Sequence, residues 1–431
     1  MMFQQMDLFP ENNKISDAEF QVIWNSEKSL VEVQRELELM NTRREETKAF
    51  YTNPELVSDI VNDLPDFSEE ESLTILEPSV GTGSFIWALA NKYREKRIHF
   101  LLIDINSNSL ALVKELLKRF PISNADFRFI ESDFFDVELI DEDVDLVVGN
   151  PPFGGTKKKP GYISSNLATQ FLEKLLETKS FISLVLPKSV ISAPSFSEFR
   201  DYLYNYSVKS IVDFGENGFK GVKIETINMM IDNVSDNETS EEILVKSFIT
   251  GDEHKVSKQY VMSDRYPYWL LYRNNFFDRV AEKMNFGQFD SFRDRQITKK
   301  MSVPKSDNSI RVLKSRNFPD GSHDIVDIDG YDMYVSRDVL NELQISKYVN
   351  QDVYMMPNLT YKPRSMKLPK NMLVDGSLAL LIPKKKKPTQ SQLRYFSSTE
   401  FRKFYKIARN YGTRSLNIDN LSSYFFGYLK E

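Results

Sequence analysis

Apolar residues recur at mostly three- and four-residue steps through 15–48. Ile23, Leu30, Val33, Leu37 and Met40 stand there among glutamates and arginines, and the spacing predicts a helix ending near Lys48. Thr52-Asn53-Pro54-Glu55 reads as a second helix start, with proline in its first turn. Strand and helix patterns then alternate. Short apolar runs at 73–76, 99–103, 127–130, 144–148, 181–186 and 208–213 predict strands. Helical periods over 85–93, 109–120, 167–177 and 196–204 lie between them. Residues 224–231 and 243–249 read as closing strands, and the acidic stretch 232–242 as a surface loop. Such alternation predicts an α/β fold: a mostly parallel sheet with helices on both faces. Beyond about 260 the periodicity breaks down among Pro, Gly, Asn and aromatic residues, which predicts a separate, irregular α+β domain. The expected organisation is a helical arm over 1–48, an α/β domain over 49–255 and a further domain over 256–431.

Composition removes several chemistries. The 431 residues include no cysteine, which excludes disulfides, thiolate metal sites and a cysteine nucleophile. Three histidines far apart (His99, His254, His323) argue against a histidine-based metal site or acid–base pair, and no metal is expected. The start MMFQQMDLFPENNK has no basic segment followed by an apolar run, so no signal peptide is expected. No run of about 18 apolar residues predicts a membrane span. The expectation is a soluble protein of a reducing compartment.

Charge placement says more than the net −6. Residues 1–150 carry 14 basic against 30 acidic side chains, whereas 361–414 carry 14 basic against 2 acidic. A basic region on an acidic chain points to one polyanion-facing surface. A solvated lysine-rich face is the plainer alternative.

Three motifs carry the chemistry. In Leu76-Glu77-Pro78-Ser79-Val80-Gly81-Thr82-Gly83-Ser84-Phe85, a Gly-x-Gly turn follows an apolar strand and opens a helix. Glycines there let backbone approach a ligand closely. Asp104 ends the next strand, where a carboxylate can accept both ribose hydroxyls. A third glycine would suit a dinucleotide; Ile86 stands there instead, which favours a nucleoside. The second motif is Asp133-Phe134, after the third strand: an acceptor for an adenine amine beside a ring that can cover a purine, or plain core. The third is Asn150-Pro151-Pro152-Phe153, after the fourth strand. The prolines fix the backbone so that the Asn150 side-chain oxygen and the Pro151 carbonyl can converge. Two converging acceptors can take both hydrogens of a planar amine, freeing its lone pair for attack, while Phe153 stacks on the ring bearing it.

With these residues in place, the chain over about 45–235 resembles the S-adenosylmethionine-dependent, adenine-specific DNA methyltransferases of the γ order, of which the TaqI-type enzyme is the type case. The resemblance implies a Rossmann-like methyltransferase fold with a mixed, mostly parallel seven-stranded sheet, followed by a target-recognition domain. It implies that Glu77, Pro78, Ser79, Gly81, Gly83 and Phe85 bind the methionine part of S-adenosylmethionine. Asp104 would hold the ribose, and Asp133 and Phe134 the adenine. Tyr51 and Thr52 would lie over the cofactor, in a segment where Asn53 replaces the middle residue of the usual Thr-Pro-Pro. Asn150 to Phe153 would act on the target amine. Phe219, in Gly218-Phe219-Lys220-Gly221-Val222-Lys223, would pack with Phe153 on a flipped base, with a hairpin core residue as the alternative.

Related Asn-Pro-Pro-aromatic families methylate RNA guanine or release-factor glutamine, so the rest of the chain must discriminate. About 170 basic and aromatic residues follow the core. Lys314, Arg316, Lys362, Arg364 and Lys384, Lys385, Lys386 and Lys387 are candidate DNA contacts, as are Lys157, Lys158 and Lys159 in the loop leaving Phe153. The Lys384–Lys387 run also resembles a nuclear import signal; a phosphate-contacting loop is favoured in this context. The reading is a sequence-specific methyltransferase acting on the N6 amine of a flipped adenine in double-stranded DNA. It would be the modification enzyme of a bacterial, cytoplasmic restriction–modification system, with a cognate restriction endonuclease left open as a partner. An RNA or protein-glutamine amino-methyltransferase, or a silent DNA-binding subunit of a larger complex, are the alternatives.

Overall fold

The computed structural model describes residues 27–40, 53–139, 142–155, 158–218, 224–234, 241–321, 324–413 and 417–430. The expected helix over 15–48 is therefore described only in part. Tyr51, Thr52, Lys157 and Phe219 lie outside the described residues. The chain divides into two units, Met1–Ile191 with Ser195–Lys258, and Ser192–Pro194 with Gln259–Glu431.

The first unit is built on one nine-stranded sheet. Its strands are β1 (Ser72–Glu77), β2 (Arg97–Asp104), β3 (Ala125–Glu131), β4 (Leu146–Gly149), β5 (Phe181–Pro187), β6 (Ser207–Gly215), β7 (Thr226–Asp232), β8 (Glu242–Ser247) and β9 (Glu253–Ser257). Their order is β3-β2-β1-β4-β5-β7-β6-β8-β9. β3, β2, β1, β4 and β5 are mutually parallel, and β7 runs antiparallel between β5 and β6. The sheet exceeds the seven strands that the resemblance implies: all eight strands read from the pattern are present, β8 joining β6 in parallel, and β9 closes the edge antiparallel to β8. β9 is Glu-His-Lys-Val-Ser, exposed at alternate positions. An edge strand with one solvated face needs no apolar run, so the hydrophobic pattern passes over it.

Central strands are buried on both faces. β4 and β5 are buried at every position, which is why they read as continuous apolar runs. The helices start where polar caps stand. Asn53 caps α2 (Pro54–Asn62) and accepts from the Glu55 amide, Asn106 caps α4 (Ser107–Arg119), and Asn166 caps α5 (Leu167–Leu175). Between α2 and α4, α3 (Ile86–Lys92) follows the glycine turn. The upstream helix α1 (Leu30–Met40) packs on this unit: Val33, fully buried, meets Leu112 and Leu116 of α4, with Trp87 and Phe120 beside them.

The second unit is irregular, as its sequence suggests. Its strands are β10 (Met284–Asn285), β11 (Phe289–Phe292), β12 (Ser309–Leu313), β13 (Met333–Ser336), β14 (Tyr354–Pro357), β15 (Met366–Lys367), β16 (Met372–Val374), β17 (Leu378–Pro383) and β18 (Tyr428–Leu429). They form sheets of four (β11-β17-β14-β15), three (β13-β12-β16) and two strands (β10-β18). One core gathers Ile310, Val312, Val335, Met355, Leu373 and Leu380. A second, aromatic core forms where helices Asn275–Glu282 and Thr399–Ala408 meet the C-terminal segment. Phe277 stacks on Phe404 at 4.7 Å between centroids, and Phe425 lies edge-on to both.

Candidate active site

The order β3-β2-β1-β4 reverses direction between β1 and β4, and the crevice outside the carboxyl ends of strands at such a switch point is where open α/β sheets bind ligands. β1 ends at Glu77 and opens the glycine turn; β4 ends at Gly149 and opens Asn150–Phe153. The two turns are in contact. The Ser79 hydroxyl donates to the Asn150 carbonyl at 3.4 Å. A Cβ on Gly149 would lie 3.1 Å from Pro78 Cδ, so glycine lets the turns approach.

The glycine turn is fixed by local bonds. Gly81 and Gly83 adopt φ of +53° and +71°, where L side chains are strained. At Gly83 an added Cβ would also meet Ile86 Cδ1 at 2.8 Å. The Val80 amide donates to the Ile103 carbonyl of β2, and the Gly83 amide to Val80 at 2.8 Å. Asp104, at the end of β2, accepts from the Gly81 and Asn106 amides, each at 2.8 Å. Its carbonyl accepts from the Ser132 amide, tying in the end of β3. Burial raises the Asp104 pKa, and the two amides partly offset this. Glu77 is almost fully buried. Burial, then the Asp104 charge, pushes its carboxyl well above the usual carboxylate range. Its Oε2 has no hydrogen-bond partner among the described residues. Ile105, directly after Asp104, is 71% exposed, an apolar surface at the end of β2. Its signal in the sequence is an isoleucine directly after the strand-ending acid, a pattern not among the three motifs.

Asp133 caps a short 3-10 turn by accepting from the Phe135 amide at 3.0 Å. Phe134 has the setting of the plain-core alternative: it is 2% exposed and stacks on Phe171 at 4.5 Å. Lys174, buried on α5, holds this turn by donating to the Phe134 and Val137 carbonyls at 2.7 and 2.6 Å. The half-buried ring here is Phe135, which lies edge-on to Tyr162 and takes the Lys159 ammonium over its face at 3.9 Å.

Phe153 is buried at 6% exposure, and Pro151 is buried beside it. The loop that follows is anchored. Glu173 accepts from the Ile163 and Ser164 amides at 2.6 and 3.0 Å, and Gln170 donates to the Ser164 carbonyl. Lys159 lies 3.7 Å from Asp133 as well as over Phe135, so it is engaged within the loop rather than free for a phosphate as expected; Lys158 is exposed. Asn53 donates its amide to the Gly218 carbonyl, which brings the N-cap of α2 against the residues that follow β6. A buried ionic group adjoins these residues. Lys188, directly after β5, lies 2.6 Å from Asp213 and 3.7 Å from Glu225. No sequence pattern singled out that group, because its members sit on three separate segments.

The second unit carries the remaining basic candidates. Lys314 and Arg316 stack over Tyr331 at 3.7 and 5.4 Å. Lys362 pairs with Asp320. Arg364 departs from the expected DNA contact: its Nε donates to the Phe318 carbonyl at 2.9 Å and its Nη1 to the Lys362 carbonyl, so the guanidinium braces the unit's own backbone. Lys384 and Lys387 pair with Asp290 and Asp352. Lys385 and Lys386 are exposed and form no ion pair among the described residues.

Among the described residues no group of three or more His, Cys, Asp or Glu could hold a metal ion, and no helix is long and apolar enough to cross a membrane.

Residues 10–219, which include both turns of the crevice, match the family model of the Eco57I restriction-modification methylases. A type II methyltransferase, M.CvrRI of Paramecium bursaria Chlorella virus XZ-6E, is 26% identical over 204 residues, covering 45% of this chain and 50% of the relative. The chain thus matches about half the length of that curated relative. Among solved structures, a modification subunit assigned to a type I restriction enzyme of Vibrio vulnificus YJ016 superposes with a TM-score of 0.41 at 18% identity, over 52% of this chain and 53% of that one. A type I restriction-modification methyltransferase subunit of Streptococcus thermophilus gives 0.38 at 15% identity, over 50% of each chain.

Proposed function

We propose that this chain is a restriction–modification DNA methyltransferase that methylates the N6 amine of adenine. The observation that carries this reading is the contact between the glycine turn and the Asn150-Pro151-Pro152-Phe153 turn at the β1/β4 switch point. It joins a nucleoside-binding loop to an amine-gripping one. The match of residues 10–219 to the Eco57I methylase family supports it.

The cofactor is S-adenosylmethionine. The residues fit it. Glu77 presents a buried oxygen without a partner, suited to a donor group such as the ammonium of a methionine moiety. Asp104 would take the ribose hydroxyls and the exposed Ile105 would cover a purine face. Asp133 would accept from the adenine amine. Tyr51 and Thr52 are proposed to close over it. When bound, it supplies an electrophilic methyl group on a sulfonium.

The chain's own part is to bind, orient and exclude water. The Asn150 side-chain oxygen and the Pro151 carbonyl accept the two hydrogens of the target amine. This draws its lone pair out of conjugation with the ring and aims it for in-line attack. Phe153, with Phe219 as its proposed partner, sandwiches the flipped base. Flipping costs a few kcal/mol, which stacking in the pocket offsets. No strong base is needed, because the methylated nitrogen is very acidic until it loses its proton. The second unit serves as the target-recognition domain, with Lys314, Arg316, Lys362, Lys385 and Lys386 facing phosphate. Lys158 is proposed to do so from the loop after Phe153.

The test is transfer of a labelled methyl group from S-adenosylmethionine to unmethylated duplex DNA, followed by digestion to nucleosides. Label in N6-methyladenine is expected. Label that enters only RNA or protein would overturn the reading.

A further inference from the structure

We infer that Gln34, on the helix upstream of the α/β core, is a positioning residue that sets the glycine turn for S-adenosylmethionine. The inference rests on the methyltransferase reading and adds a residue to it. Gln34 is 3% exposed, in a helix whose neighbouring positions 31, 32 and 35 are exposed. Its Nε2 donates to the Thr82 carbonyl at 2.9 Å and to the Gly83 carbonyl at 3.3 Å. These carbonyls belong to the two peptide units around Gly83, whose φ is +71°.

A trans peptide is planar, with its C=O and N–H pointing in opposite directions. Holding the two carbonyls toward α1 therefore aims the Gly83 and Ser84 amides away from it. The Gly83 amide meets Val80 at 2.8 Å. The Ser84 amide is left facing the other side of the turn. A glycine on each side of Thr82 gives this stretch backbone freedom, which the turn's own bonds, from the Gly83 amide to Val80 and from the Ile86 amide to the Gly83 carbonyl, restrain in part. Gln34 adds a restraint on the Thr82 and Gly83 carbonyls from outside the α/β core.

The placement of α1 supports the role independently. Val33 anchors the helix on Leu112 and Leu116, and the Lys28 carbonyl accepts from Arg119 at 3.4 Å. The helix is thus fixed on α4 without Gln34, and the amide is directed at the turn. The hydrogen bonds of Gln34 fall on the glycine turn rather than on α4, where Val33 and the Lys28 carbonyl already hold the helix.

The test compares Gln34→Met, Gln34→Glu and Val33→Ala in the full chain. Calorimetry gives S-adenosylmethionine affinity, steady-state assays give KM and kcat, and thermal unfolding gives Tm. Methionine keeps the length but donates nothing; glutamate turns the donor into an acceptor facing two carbonyls. Both are expected to weaken cofactor binding about tenfold or more, with Gln34→Glu the weaker binder, and to leave the KM for DNA unchanged. Val33→Ala is expected to lower Tm while keeping cofactor affinity within about twofold. Wild-type affinity in both Gln34 variants would overturn the inference, and so would a loss in Val33→Ala equal to theirs at matched Tm. No S-adenosylmethionine binding by the wild-type chain would overturn the methyltransferase reading itself, an outcome distinct from these.

Discussion

Asp104 Oδ2 accepts a hydrogen bond from the Gly81 amide at 2.8 Å, across 23 residues of sequence. The carboxyl assigned to the cofactor's ribose thus also shapes the turn assigned to its methionine part. Asp104→Asn replaces one acceptor oxygen by a donor and Asp104→Ala removes both. Asp104→Ala is expected to raise the cofactor Kd by roughly 100-fold, from the combined loss of charged hydrogen bonds at about 1.5–3 kcal/mol. Asp104→Asn should fall between it and the wild type. Titration calorimetry checks the order.

Glu77 should behave as a residue held for its ligand at some cost to the fold. Its pKa is raised on folding by burial and by Asp104, so the folded state holds a proton that the unfolded state has released. Such a group favours the folded state below the ordinary carboxylate pKa, and that contribution is lost as pH rises toward the folded value. Glu77→Gln removes the burden. In the ligand-free protein it is expected to raise Tm by about 2–4 °C near neutral pH. The gain should shrink as pH falls toward the ordinary glutamate value. Cofactor affinity should fall at the same time. A Tm difference that does not change with pH would contradict this account.

The four lysines after β17 should not be equivalent. Lys384 and Lys387 have acidic partners, and together with Lys367 the Lys387 ammonium holds the Asp352 carboxyl down at about 2. Lys385 and Lys386 have no acidic partner among the described residues. The double variant Lys385→Gln/Lys386→Gln is expected to reduce the slope of log affinity for DNA against log salt by about 1–2. The Lys384→Gln/Lys387→Gln pair should change it less. Equal slopes in both variants would place the phosphate contacts elsewhere.

Asn150→Ala removes one of the two acceptors proposed for the amine and leaves the cofactor residues intact. Methyl transfer is expected to fall by at least about 10²-fold, while cofactor and DNA binding change by less than about threefold. Single-turnover kinetics separates these effects.

Much of the first unit was legible because its signals are local. Asn53, Asn106 and Asn166 cap helices by bonds two residues long, and β4 and β5 are apolar throughout. The glycine turn and the Asn-Pro-Pro-Phe turn were legible for the same reason. What the sequence hid depends on partners far along the chain. Gln34 reads as a surface residue of an amphipathic helix until Thr82 stands beside it, 48 residues on. Arg364 reads as a phosphate contact until the Phe318 carbonyl, 46 residues away, accepts from it. Phe134 and Phe135 are identical in sequence terms; Phe171, 36 or more residues on, stacks on the first and lies edge-on to the second, and only this packing distinguishes the buried ring from the half-buried one. β9 was hidden for another reason, since one solvated face leaves no apolar run to read.

The central claim is that this chain methylates adenine in DNA at a defined sequence. The most direct measurement expresses it in a host lacking DNA methylation and reads the genome by single-molecule sequencing that detects N6-methyladenine. The account predicts one short motif modified at nearly every occurrence, and no modification with Asn150→Ala. A genome left unmodified by a folded, cofactor-binding protein would contradict it.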